Sequence, residues 1–203
     1  MSSPPELIKY DEDGDLILYV DDDTARYQVC SRTLARSSPV FKRMLRGGFA
    51  ESRPVDGSDW IVELPDDKSE PMQIFLSIIH GRLMDVPKKL PIAGLHGLLV
   101  LTEKYNATEV LRLWAAGWIE NAHINKGAED HSIIGIAWEL GQVELFRQLM
   151  ENITETCTLD ASGCVLFGGR EQFLDGFQNV CYKGEHKLPL VLNYLEPTRM
   201  IGE

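Results

Sequence analysis

An α+β fold is what this sequence predicts, and three observations predict it. Three short strand patterns lie within the first 64 residues. From residue 69 onward the apolar residues recur at helical spacing. Between the second and third strands stands a helix–corner–helix signal, CSRTLARSSPVFKRMLRGG, at 30–48. Strands followed by runs of helix belong to α+β domains. At 203 residues and 44% hydrophobic, the chain is long enough to bury a core as one large domain or a domain plus an extension.

Each element can be justified in order. Residues 1–14 read as an N-terminal lead-in, with Pro4-Pro5 discouraging a helix. LILYV, Leu16 to Val20, is a short apolar run bounded by DEDGD and DDDT, the pattern of a strand buried on both faces. In ARYQVC, Tyr27 and Val29 alternate with Arg26 and Gln28, the period of a half-buried strand, and Asp21 to Asp23 form the hairpin turn between the two. At the corner, Ser38 is a good N-cap and Pro39 a good first helical residue, while Pro39 pushes Ser38 out of the α region and ends the preceding helix. Phe41, Met44 and Leu45 then supply a core stripe, and Gly47-Gly48 are expected to leave the helix through left-handed conformations. WIVEL, Trp60 to Leu64, is the third strand.

Helices follow. Met72, Phe75, Leu76 and Ile79 share one face; Leu95, Leu98, Leu99, Thr102 and Tyr105 share another. Thr108 is placed to cap the next helix, which carries Leu111, Trp114 and Trp118. Beyond residue 120 the reading is all-helical: stripes at Ile133-Ile136-Ala137-Leu140, Phe146-Leu149-Met150-Ile153, Phe173-Phe177-Val180-Cys181 and Leu188-Val191-Leu192-Leu195, with TETCTLDASGCVLFGGR as a turn-rich connection. The organisation expected is a lead-in at 1–14, an α+β domain at 15–120 and a helical extension at 121–203.

Composition excludes several classes of function. A formal net charge of −11 with no basic stripe argues against nucleic acid as a partner. No apolar run approaches a membrane span or a signal-peptide core, so an intracellular chain in the cytoplasm or nucleus is expected. Cys30, Cys157, Cys164 and Cys181 lack paired metal-site spacing and are expected as free thiols. DEDGD has its glycine in the fourth place and no bidentate Glu at calcium-loop spacing, so it reads as a solvated lead-in. The five histidines are scattered, LFGGR lacks a phosphate-loop Lys, and no G-x-S-x-G elbow occurs. No catalytic residue, metal, cofactor or small-molecule substrate is indicated, and the expectation is a non-enzymatic protein.

The order DLILYV, YQVCSRTLARSSPVFKRML, GFAES, WIVELPDD resembles a BTB/POZ domain. Leu34, Ala35, Ser38, Phe41, Phe49 and Glu51 fall on matching places of that family's pattern, over about residues 13–120. SIIGIAWELGQVELFRQLM resembles the helical, BACK-like extension of stand-alone BTB proteins of filamentous fungi. The resemblance implies a small three-stranded sheet flanked by helices, followed by an all-helical extension, and a protein–protein interaction role. It implies either an adaptor of a cullin-type ubiquitin ligase or a self-associating or transcription-linked scaffold without a ligase role. The residues it points to are Phe49 and Glu51, with Asp15 and Arg46 beside them; the partners are a cullin scaffold, a client protein or a second copy. Cys30 stands where the family usually has His, and Ser31 where a basic residue commonly pairs with the first-strand Asp. That leaves Arg32 or Arg36 to reach Asp15. His80-Gly81-Arg82 replaces the customary aromatic-Thr-Gly. Dimeric members carry an extra helix and strand before the first Asp, which the short lead-in does not match, so no strand-exchanged dimer is expected.

Overall fold

The computed structural model describes residues 5–22, 24–126, 132–159 and 165–167. The chain divides into two compact units at Trp118/Ile119. The first contains a four-stranded sheet in the order β1-β3-β2-β4, with β1 at Leu7–Lys9, β2 at Leu16–Val20, β3 at Ala25–Val29 and β4 at Ile61–Leu64. The sheet is mixed: β2 and β3 are antiparallel, while β1 lies parallel to β3 and β4 parallel to β2. Three strands match the sequence reading. The fourth, β1, comes from the segment read as a lead-in, because three residues are too few for alternation to register.

Register explains the core. Leu16 pairs with Val29, Leu18 with Tyr27, and Leu18 and Val20 with Val62 and Leu64. All seven side chains are buried. Ile17 and Tyr19, on the opposite face, are only half-buried, so LILYV is not covered on both sides as its composition suggested. Arg26 lies 4.9 Å from the Tyr19 ring centroid and shields that face. Five helices follow or interleave: α1 Ser31–Ser37, α2 Pro39–Arg46, α3 Ser69–Ile79, α4 Ile92–Lys104 and α5 Arg112–Lys126. Thr108 does not cap a helix; it opens a 3-10 turn, Thr108–Leu111, that leads into α5.

Both helices that start beside the sheet lack a cap of their own, since Cys30 and Lys68 make no side-chain cap bond. Aspartates at the two ends of β2 take over. Asp15 accepts the Ser31 N–H and the Ser31 hydroxyl, both at 2.9 Å, at the start of α1. Asp21 accepts the Ser69 hydroxyl at 3.2 Å and pairs with Lys68 at 2.9 Å at the start of α3. A carboxylate at a helix N-terminus satisfies an orphan donor and meets the positive end of the dipole. Asp21 and Asp22 adopt φ of 59° and 50° in the β2–β3 turn, a region aspartate tolerates better than most residues.

The helical layer is tied together at Tyr105. Its ring stacks on Phe41 with centroids 4.0 Å apart, and Phe41 stacks in turn on Phe75 at 6.3 Å. The Tyr105 hydroxyl donates to Asp67, a buried carboxylate that also receives Lys104 Nζ at 2.6 Å. Burial and the adjacent Asp67 charge push the Tyr105 hydroxyl pKa well up.

The second unit contains α6 at Ser132–Glu139 and α7 at Val143–Thr156. Ile134, Ala137 and Phe146 form its buried cluster, flanked by Trp138, Leu145, Leu149 and Met150. The chain turns between the helices at Gly141, where φ is 65° and the Gly141 and Gln142 N–H groups donate to the Trp138 and Ala137 carbonyls. The expectation of an all-helical extension is corrected here. Cys157–Leu159 and Val165–Phe167 form an antiparallel hairpin, β5 and β6, with Cys157 opposite Phe167. Both strands are three residues long and their apolar runs are too short to distinguish strand from helix. The stripes at Phe173–Cys181 and Leu188–Leu195 lie outside the described residues.

Candidate protein-docking loop

Helix α2 begins in the core and ends at the surface. Ser38 Oγ accepts the Phe41 N–H at 3.0 Å, as an N-cap should, and donates to the Tyr105 carbonyl. Along the helix Phe41 and Leu45 are buried and Met44 is half-buried, while Arg46, in the last turn, is exposed. The exit from α2 differs from expectation at one glycine. Gly47 has φ of −90° and is not left-handed; only Gly48, at 78°, is. Gly47 is needed for space instead. A Cβ there would meet the Arg43 carbonyl oxygen at 2.4 Å and the Phe49 ring at 2.7 Å.

Ser52 closes the helix end. Its Oγ accepts the Gly48 N–H at 3.1 Å and donates to the Met44 carbonyl at 3.3 Å, and its N–H donates to Phe49 O at 3.0 Å. Phe49 is thereby held with 54% of its surface exposed, the ring packed back over Gly47. Glu51 is half-buried, and its backbone carbonyl accepts Nε1–H of the buried Trp60 at 2.8 Å. Arg53 reaches across this contact, with its guanidinium 5.9 Å from the Trp60 ring centroid and 3.8 Å from Asp15.

Asp15 therefore has partners, though not Arg32 or Arg36. Ser31 binds it directly, and Arg53 arrives from the loop. Burial works to raise the Asp15 pKa, but the Ser31 bonds, with the Arg53 charge behind them, hold its carboxyl below the usual value. Of the four residues singled out from the sequence, Arg46, Phe49 and Glu51 sit on one helix end and loop. Asp15 joins them through Arg53 and Trp60. The sequence reading missed Ser52 and Arg53 altogether and took Trp60 only as the start of a strand. Their roles are contacts across 8 to 38 residues of chain, which leave no periodic signal.

Among the described residues no group of three or more His, Cys, Asp or Glu side chains is placed to hold a metal ion, and no helix is long and apolar enough to cross a membrane. Cys30 is a free thiol. No curated protein matches the chain. The family model described as BTB/POZ domain matches residues 6–116, which is more than half of the chain and takes in β1, the corner, the loop at 47–53 and the start of α5. This is a family of protein-interaction domains, not of enzymes. The chain belongs to the BTB/POZ domain family.

Proposed function

We propose that this chain is a non-enzymatic adaptor that docks a cullin-type ubiquitin-ligase scaffold through the loop at 47–53, in the cytoplasm or nucleus. The observation that carries the reading is Phe49: an aromatic side chain 54% exposed on a loop whose backbone is tied at both ends. An aromatic ring held in place before binding supplies apolar contact area at low entropic cost, which is how interface anchors work. Glu51 and Arg46 frame it with charge of both signs. A client would bind elsewhere on the domain or on the extension.

The test is calorimetric titration of a cullin N-terminal domain into wild type, Phe49→Ala and Glu51→Ala. Phe49→Ala is expected to weaken binding by about 2 kcal/mol or more, the scale of a hot-spot truncation. Glu51→Ala, nearer the wet rim, is expected to cost less. A wild-type protein that does not bind at tens of micromolar would remove the adaptor reading.

Self-association separates the scaffold reading from the adaptor reading. We infer that no strand-exchanged dimer forms. Contrary to the expectation, the lead-in does supply a strand ahead of Asp15, but β1 pairs with β3 of its own chain, and Arg82 donates to the Lys9 carbonyl at 2.8 Å and ties that strand in place. Light scattering should report no such dimer. An obligate dimer that dissociates when residues 1–12 are deleted would overturn this and favour a self-associating scaffold.

A further inference from the structure

Two backbone N–H groups at the start of α1 find their acceptors outside the helix. Ser31 uses Asp15; Cys30 uses Nε2 of His80, 3.2 Å away and 50 positions along the chain. His80 follows the last residue of α3, and its Nδ1 lies 3.0 Å from the Leu76 carbonyl. A carbonyl can only accept and a backbone N–H can only donate, so the ring is held neutral with its proton on Nδ1. A doubly protonated ring would turn an N–H donor toward the Cys30 donor and leave that N–H without an acceptor.

The surroundings define what this ring supports. From the segment after β1 come Tyr10, whose ring centroid is 6.0 Å from that of His80, and Asp11, whose charge favours the imidazolium. From the segment after α3 come Arg82, 5.2 Å from the Tyr10 centroid, and its partner Asp85 at 2.7 Å. From the start of α1 come the Cys30 N–H and, beside it, the Ser31 N–H that Asp15 accepts. The same group fastens the end of β1: Tyr10 N–H donates to Gln28 O at 2.9 Å, the Tyr10 hydroxyl to Gln73 O at 3.2 Å, and Arg82 to Lys9 O.

We propose that His80 is an acid-sensitive latch at this junction. Neutral, it accepts the Cys30 N–H and packs beside Tyr10, joining the start of α1, the end of α3 and the end of β1. Protonated, it releases Cys30 and the junction loosens. Burial is the largest influence on the ring and outweighs the Leu76 bond and Asp11, so the folded protein takes up this proton less readily than the unfolded chain does. The sign follows. Above the ordinary imidazole value of 6.5 the latch is fully closed, and its stabilisation is lost as the pH falls below that value toward the lower folded one.

The experiment follows the full chain by NMR through mild acidification, from about pH 7.5 to about pH 5, the range in which imidazole titrates. The His80 ring should titrate with a midpoint below 6.5, and the Cys30 amide should shift with the same midpoint. Protection of the Leu7 to Tyr10 amides, taken relative to the intrinsic exchange rate at each pH, should fall along with it. A second arm uses His80→Gln, whose amide oxygen can accept from Cys30 but does not titrate. The melting temperature of this variant should fall less across the range than that of wild type. A Cys30 amide that stays still while His80 titrates, or equal falls in the two proteins, would refute the latch. If His80→Gln does not fold, the wild-type titration decides alone.

Discussion

The two ends of the eight-residue helix α2 are built for opposite purposes. At its N-terminal end, Ser38 is fully buried, capped onto Phe41 and bonded to the Tyr105 carbonyl, with Phe41 clamped between aromatic rings. At its C-terminal end, the Ser52 hydroxyl and the Trp60 Nε1–H bind backbone groups, and more than half of the Phe49 surface stays exposed. One end buries the aromatic ring it positions; the other ties the main chain and presents a ring to solvent. The difference separates residues that hold the fold from residues free to serve recognition, although Phe41 and Phe49 are the same amino acid eight positions apart in the chain.

Substitutions at each end should therefore give contrasting outcomes, and thermal or denaturant melts can break the comparison. Phe41→Ala should show the largest effect, a loss of about 3–5 kcal/mol, because it empties a stacked core site. That is a large part of the total stability of an ordinary domain. An unchanged melt would mean that the corner is not core. Ser38→Ala should follow with a loss of about 1–2 kcal/mol, since it removes the N-cap and one hydrogen bond to a buried carbonyl. A gain or no change would show that the short Ser38–Tyr105 contact contributes nothing net. Phe49→Ala should leave the fold within about 0.5 kcal/mol of wild type, as substitutions of exposed residues usually do. If it destabilised the chain as much as Phe41→Ala does, the ring would be a structural support over Gly47 and not an available anchor.

A related contrast separates the two β2 aspartates from Glu51 of the loop. Asp15 and Asp21 stand in acidic stretches that look like solvated surface, yet each bonds the start of a helix. Glu51, singled out for its side chain, contributes its backbone carbonyl to Trp60. Residue type alone was a poor guide to which atom would be used.

The sequence by itself determined the features that rest on local physics. A short apolar run placed β2 and alternation placed β3; Ser38-Pro39 placed the break between α1 and α2; spacings of three and four placed the buried faces of α3 and α4 and the first stripe of α6. Each depends on backbone preferences and periodicity within a few residues. Only the tertiary structure decided that β1 pairs with β3, that Asp15 uses Ser31 and Arg53, that Trp60 fastens the Phe49 loop, and that His80 accepts the Cys30 N–H. Those contacts join groups far apart in the chain, and a polar side chain can be satisfied by any suitable partner that folding brings within reach. Periodicity tells which way a residue faces. It carries no information about what arrives from another element to meet it.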